Sequence, residues 1–265
     1  MDTKHRSYLF VPGDRPERFA KACASGAHAV IVDLEDAVAP EHKAQARAAV
    51  AAWLHPQHPV LIRINAADTE WFDQDCALAG HAGVAGIVLP KAERVSDIER
   101  LRAAGAASVF PLIETAVGYD QARPLASAPG VARLLFGSID FQLDLGITGE
   151  DQALLAFRSG LVLASRLAGV PAPVDGVSTA IDDAQQLTAD ALRSRQLGFG
   201  GKLCIHPKQV PLVNAAFRPS DEEVRWAHRV FEAAGAAAGA AVAVDGKMVD
   251  RPVLLRARAI LDEAL

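Results

Sequence analysis

The 265-residue sequence has only three cysteines, Cys23, Cys76 and Cys204, far apart and with no CxxC pair among them. One is left over from any pairing, so neither a disulfide framework nor a thiolate zinc site is expected, and a reducing compartment, the cytoplasm, fits best. Excess positive charge is also missing: 27 Lys and Arg stand against 32 Asp and Glu, with the arginines scattered along the chain. Nucleic acid is therefore not an expected partner. The longest small-residue tract, Ala233 to Val244, is rich in Ala and Gly and falls well short of the ~20 residues that a membrane-spanning helix needs. It reads as the fraying end of a helix followed by a linker, and no membrane partner is expected. The first apolar run, "SYLFV", is too brief for the core of an export signal before Arg15 and Arg18 intervene. Neither GxGxxG nor GxxxxGK[ST] occurs, which removes the phosphate-cradling loops of nucleotide-binding sheets.

What is present is ample apolar material, 51% of residues, arranged in short blocks. Eight mostly apolar runs can be picked out: 7–11, 29–34, 60–64, 86–90, 108–113, 133–137, 172–176 and 202–205. Several are continuous rather than alternating, the pattern of strands buried on both faces. Stretches of helical spacing lie between them, among them 16–26, 40–54, 95–105 and 156–169. Eight strand–helix units predict an α/β chain folded as a (β/α)8 TIM barrel over residues 1–218. The seventh run, with two prolines and Asp175, also suits a loop. Residues 219–265 read as a C-terminal helical extension, with helices over 221–235 and 252–265 joined by "AVDGKMVD".

Charge interrupts the runs at their C-terminal ends: Asp33, Glu35 and Asp36 in "VDLED", Arg63 and Asn65 in "IRIN", Lys91 and Glu93 in "LPKAE", Glu114 in "LIET", Asp140 in "FGSIDF", Asp175 in "PVDG" and His206 in "IHPKQ". In a parallel barrel these ends converge on one mouth, where active sites are built. A single acid after a strand is as readily the N-cap of the next helix, and Asp36 and Asp140 both suit that role. Several acids in one mouth repel one another unless a cation is present. Glu114 and Asp140, from neighbouring strands, are assigned to a metal, and carboxylate ligation without histidine indicates Mg2+ rather than zinc. Arg63 is either a structural partner of a barrel carboxylate or a fork for a substrate carboxylate. His206 reads as a hydrogen-bonding wall residue. Lys91 as a Schiff-base nucleophile would need a depressed pKa, which nearby carboxylates oppose.

The motifs "RSYLFVPG", "VDLEDAV", "IRIN", "IVLPKAE", "PLIETAVG", "LLFGSIDF", "GKLCIHPKQV" and "DGKMVDRP" resemble, in order and spacing, those of the citrate lyase beta-subunit-like family of citryl-, malyl- and citramalyl-CoA lyases. The resemblance implies a barrel that assembles as a homo-oligomer, trimer or hexamer. It implies Mg2+-dependent cleavage or formation of a carbon–carbon bond in a β-hydroxyacyl thioester of CoA or an acyl carrier, with a 2-oxoacid or glyoxylate as the other fragment. Carried over by motif, Glu114 and Asp140 are the metal ligands, and Glu35 and Asp36 hold metal-bound waters. Arg63 binds the oxoacid carboxylate. Asp250 is the acid that such proteins supply to a neighbouring subunit, unless it merely caps the helix after it. Arg15, Arg18 and Lys21 suit the phosphates of the thioester handle, although a solvated helix face explains at least one of them equally well. Ser138 and Ile139 stand where some relatives have a second acid. A metal-dependent aldolase acting on a free oxoacid, or a noncatalytic thioester-binding barrel, are the alternatives.

Overall fold

A computed structural model describes residues 5–149, 152–236 and 242–264, and the chain divides into two compact units, Met1–Asn214 and Ala215–Leu265. The first is a closed barrel of eight parallel strands in sequential order: β1 (Ser7–Pro12), β2 (Ala29–Asp33), β3 (Val60–Arg63), β4 (Val84–Leu89), β5 (Val109–Ile113), β6 (Leu135–Phe136), β7 (Val174–Asp175) and β8 (Gly201–Cys204). Side chains alternate across each strand. One set, including Tyr8, Ile31, Leu61, Val88, Phe110, Leu135, Val174 and Leu203, fills the barrel interior. Intervening residues such as Leu9, Val30, Val32, Ile62 and Ile87 are buried as well. Burial of both faces explains the near-continuous apolar runs, each such side chain contributing ~1.5–3 kcal/mol.

Helices follow the strands: α1 (Phe19–Cys23), α2 (Lys43–Trp53), α3 (Phe72–Cys76), α4 (Val95–Ala103), α5 (Ala116–Asp120), α6 (Ala122–Ser127), α7 (Ser138–Leu145), α8 (Leu155–Ala168), α9 (Ala184–Gln196) and α10 (Gln209–Ala216). Register decides which polar ends meet. Pro12 pairs with Asp33, and Asp33 pairs with Arg63, so an acid and a base share one level of the rim. The seventh run is a strand, not a loop: Val174 pairs with Leu135 on one side and Gly201 on the other. It is short because Pro173 lacks the N–H that a longer ladder needs.

The second unit holds α11 (Asp221–Ala236) and α12 (Arg251–Ala264). The linker expected between them is corrected by the structure: β9 (Val242–Val244) and β10 (Lys247–Val249) form an antiparallel hairpin. Its turn, Asp245-Gly246, has positive φ at both residues, 50° and 75°. That is the two-residue geometry for which Asp-Gly is suited, and the dipeptide was the available signal. Ala227, Val230, Val244, Ala257 and Ile260 form this unit's own core. Among the described residues no helix is long and apolar enough to cross a membrane.

Candidate active site

The mouth of the barrel holds a cavity of about 390 Å3 whose walls include Asp33, Asp36, Arg63, Glu114 and Asp140, with Phe10, Leu112, Phe136, Ile139 and Leu203 as its apolar side. Glu114 leaves the end of β5 and is 2% exposed. Its Oε2 accepts the Lys91 backbone N–H at 2.8 Å, a direction made possible by the left-handed Lys91 backbone, φ 44°. On its other side lies Gly137. A Cβ there would stand 2.5 Å from Glu114 Oε1 and closer still to its Cγ, so the carboxylate occupies room that only glycine leaves. Desolvation first, then the nearby charges of Glu35 and Asp140, push the Glu114 carboxyl up to about 8, against the opposing pull of Arg63.

Asp140 lies inside α7, the third residue of the helix; the residue before the helix is Gly137, with no side-chain cap. Asp36 caps nothing either, since Ala39 precedes the next helical turn. The capping readings of both acids are therefore replaced. Asp33 makes the local turn instead: its carboxylate accepts the backbone N–H groups of Glu35 and Ala37.

Arg63 is tied by its Nε and Nη2 to Asp33 at 2.7 and 2.6 Å. Its Nη1 lies 2.9 Å from Glu35 and 3.6 Å from Asp36. This arginine pairs with barrel carboxylates, the structural role expected of it, and it also lines the cavity. Its neighbours raise its pKa, led by Asp33, over the lowering effect of burial. Glu35 is buried and its Oε1 accepts from Lys91 Nζ at 2.6 Å. Lys91 is held above its ordinary pKa by that bond and by the charges of Glu35, Glu114 and Asp36, which together outweigh desolvation. An imine-forming lysine needs the opposite shift.

Three residues that sequence reasoning left without a role emerge here. Asp33 sets the plane of Arg63. Gly137 gives Glu114 its space. Lys43, buried on α2, donates to the carbonyls of Leu34 and Glu35 at 2.7 Å each and so pins the loop that carries Glu35 and Asp36. A signal existed only for Asp33, as a third acid in "VDLED". Other expected residues of the first unit are not gathered into the cavity wall. Arg15, Arg18 and Lys21 stand exposed after β1, with Arg15 3.9 Å from Asp14 and Arg18 3.8 Å from Glu17. His206 accepts the Lys208 N–H at 3.2 Å. Asp175 is buried in an ion pair with Arg158 at 3.0 Å. Asp250, in the second unit, is exposed, and its Oδ1 accepts the Val253 N–H at 3.1 Å as the cap of α12.

Asp33, Glu35, Asp36, Glu114 and Asp140 face Arg63, Lys91 and Lys43. Two negative charges are in excess when all are ionised, and Glu114 bears the consequence. Among the described residues no group of three or more His, Cys, Asp and Glu side chains is arranged to hold a metal. Two oxygen ligands with no nitrogen or sulfur donor are nonetheless what a hard ion such as Mg2+ takes from a protein when water and substrate oxygens complete its shell. A divalent ion would also cancel the surplus charge.

The chain matches the HpcH/HpaI aldolase/citrate lyase family over residues 6–207. It is 40% identical over 266 residues to a citrate lyase subunit beta-like protein of Mycobacterium tuberculosis, covering 97% of this chain and 94% of that protein. It is 34% identical over 270 residues to a (3S)-malyl-CoA thioesterase of Cereibacter sphaeroides, covering 98% and 94%. Among solved structures, protein CitE of M. tuberculosis in complex with magnesium, acetoacetate and coenzyme A superposes with a TM-score of 0.86 at 37% identity, covering 98% of each chain. Citrate lyase beta subunit of the same organism, complexed with oxaloacetate and magnesium, gives 0.73 at 36% identity over 83% of this chain and all of that one.

Proposed function

The chain belongs to the HpcH/HpaI aldolase/citrate lyase family, and on that premise we propose that it is a Mg2+-dependent carbon–carbon lyase. Its substrate is a β-hydroxyacyl thioester of CoA or an acyl carrier, parted into an acyl thioester and a 2-oxoacid or glyoxylate. The observation that carries this reading is the buried Glu114, set beside Asp140 in a mouth with surplus negative charge. Such a carboxylate is costly without a cation, and the M. tuberculosis relatives solved with magnesium support the choice of ion.

Glu114 and Asp140 are the residues that would hold Mg2+, with Glu35 and Asp36 behind them. Bound there, the ion supplies Lewis-acid stabilisation of developing negative oxygen. Arg63, its plane fixed by Asp33, binds the carboxylate of the oxoacid fragment and offsets a second negative charge. Cleavage removes the proton of the C3 hydroxyl, passes the C–C bonding pair into the thioester enolate, and returns a proton to its carbon. Asp250, offered by a neighbouring subunit of a trimer or hexamer, is the proton carrier, at the ~10²–10⁴-fold scale of such groups. Arg15 and Lys21 bind phosphates of the thioester handle, which tests the aldolase alternative: a free oxoacid needs no such contact. Orientation of the two fragments supplies the remaining acceleration.

The relationship to malyl-CoA thioesterases supports a second reading, in which the thioester is hydrolysed instead. A panel of citryl-, malyl- and citramalyl-CoA separates the two. Oxoacid release with the thioester intact is expected, and it is lost in Glu114→Gln and Asp140→Asn proteins that keep the wild-type circular dichroism. Release of free thiol at the rate of substrate loss would establish the hydrolase. No Mg2+-dependent turnover of any of the three would leave the noncatalytic barrel.

A further inference from the structure

A second cavity, of about 110 Å3, adjoins the first and shares Ser138, Ile139 and Val177 with it. Its lining includes Arg158 from α8 and Lys202 from β8, buried to 5% and 2% exposure. The one carboxylate between them is Asp175, on β7. Arg158 Nε donates to Asp175 at 3.0 Å, and Ser194 Oγ donates to the other oxygen. Lys202 stands 3.9 Å from Asp175 and makes its hydrogen bond to the Gly176 carbonyl, at 2.7 Å. Asp190, the acid that lines the cavity wall, is already engaged by Ser178, Gln186 and Arg193.

Both carboxylates are therefore engaged, while donors of the two cations remain. Arg158 Nη1 is buried with no hydrogen-bond partner among the described residues, and an ammonium with three protons has one firm bond. A buried guanidinium N–H left unmade is unfavourable, and a charged acceptor is what satisfies it. The cavity has room for a carboxymethyl group and is too small for a pantetheine arm, given the ~300 Å3 or more that larger ligands occupy.

We propose that this cavity is an anion subsite that takes the distal carboxylate of a dicarboxylic 2-oxoacid fragment, whose reacting end lies in the adjoining cavity at the mouth. The proposal deepens the lyase reading and rests on it, and it narrows the substrates to those that yield an oxoacid with a second carboxylate.

Pyruvate and oxaloacetate differ by that group alone, so their dissociation constants in Mg2+, measured by titration calorimetry with freshly dissolved ligands, form the test. Wild type is expected to prefer oxaloacetate by about tenfold or more, the scale of one charge-assisted hydrogen bond. In Arg158→Lys, which keeps a cation for Asp175 but loses the guanidinium fork, the ratio should approach one. Ala180→Glu places a carboxylate on the wall of the second cavity without removing a buried charge, and it should abolish the preference too. It decides the matter should Arg158→Lys fail to fold. No preference in wild type, or a preference that survives Ala180→Glu, overturns the subsite. If wild type binds neither oxoacid, the lyase reading fails separately. The subsite is then judged by malonate alone: a thermal shift lost in Ala180→Glu sustains it, and no shift in wild type refutes it.

Discussion

Gly137→Ala tests the geometry on which the metal assignment depends. Gly137 has φ −90° and ψ 74°, a conformation alanine can enter, so backbone strain is not the issue. The new methyl carbon would lie 2.5 Å from Glu114 Oε1, about 1 Å inside ordinary contact. Glu114 is boxed in on its other side by the Lys91 N–H at 2.8 Å. Either the carboxylate holds its place and the protein carries the overlap, or it swings away and breaks that hydrogen bond. Overpacking of this size costs ~1–3 kcal/mol, and a displaced ligand weakens metal affinity by ~10–100-fold, or ~1.4–2.8 kcal/mol. The measurement is the Mg2+ concentration dependence of the thermal midpoint, which reports the dissociation constant. The expected result is a curve shifted to at least tenfold higher Mg2+, with a modestly lower midpoint in its absence. Gly149→Ala is the control, because among the described residues its methyl would meet only Ala153, at 3.4 Å. A Gly137→Ala protein with the wild-type Mg2+ dependence would show that Glu114 is not a ligand held by this contact.

Three further outcomes are expected. The Glu114 carboxyl, raised from 4.5 to about 8, makes the metal-free fold lose stability as pH climbs from about 4.5 to about 8, since the folded state holds the proton longer. Glu114→Gln should remove that slope and be more stable than wild type by about 3 kcal/mol at pH 7 without Mg2+, as read by urea unfolding at pH 5, 7 and 9. Equal slopes would refute the burial argument. Asp175 is held below its usual range, with Lys202 and Arg158 outweighing desolvation, so its contribution is present above the unfolded pKa of 3.8 and lost as pH falls below it. Asp175→Asn should cost ~3–5 kcal/mol at pH 7, and urea midpoints within error of wild type would contradict the ion pair. Gly246→Val puts a branched side chain at φ 75° and should cost ~1–2 kcal/mol, visible as a lower thermal midpoint.

Much of the fold was legible because its signal is local. Barrel strands carry apolar residues on both faces, and the acids that end them stand out against such runs, which is how Glu114 was found. The hairpin at Asp245-Gly246 was equally legible from its turn dipeptide, yet the alanine-rich stretch before it pointed toward a linker. Asp33 was visible as an acid, but its partner Arg63 lies 30 residues away, and only the pairing of β2 with β3 makes them neighbours. The same holds for Arg158, Asp175 and Lys202, which arrive from α8, β7 and β8.

By itself, the order of apolar runs and turn residues determined that eight parallel strands close into a barrel, because hydrophobic burial and chain connectivity act along the sequence. It also determined which residues end those strands and so face the mouth. The tertiary structure decided which of those charges are free. Arg63 is shared among three carboxylates, Lys91 is taken by Glu35, and Glu114 is left, among the described residues, with no cation of its own, its carboxyl pushed up in space left by the glycine that follows β6. Such pairings depend on distances of a few ångströms between residues brought together by strand register, and no local pattern encodes them.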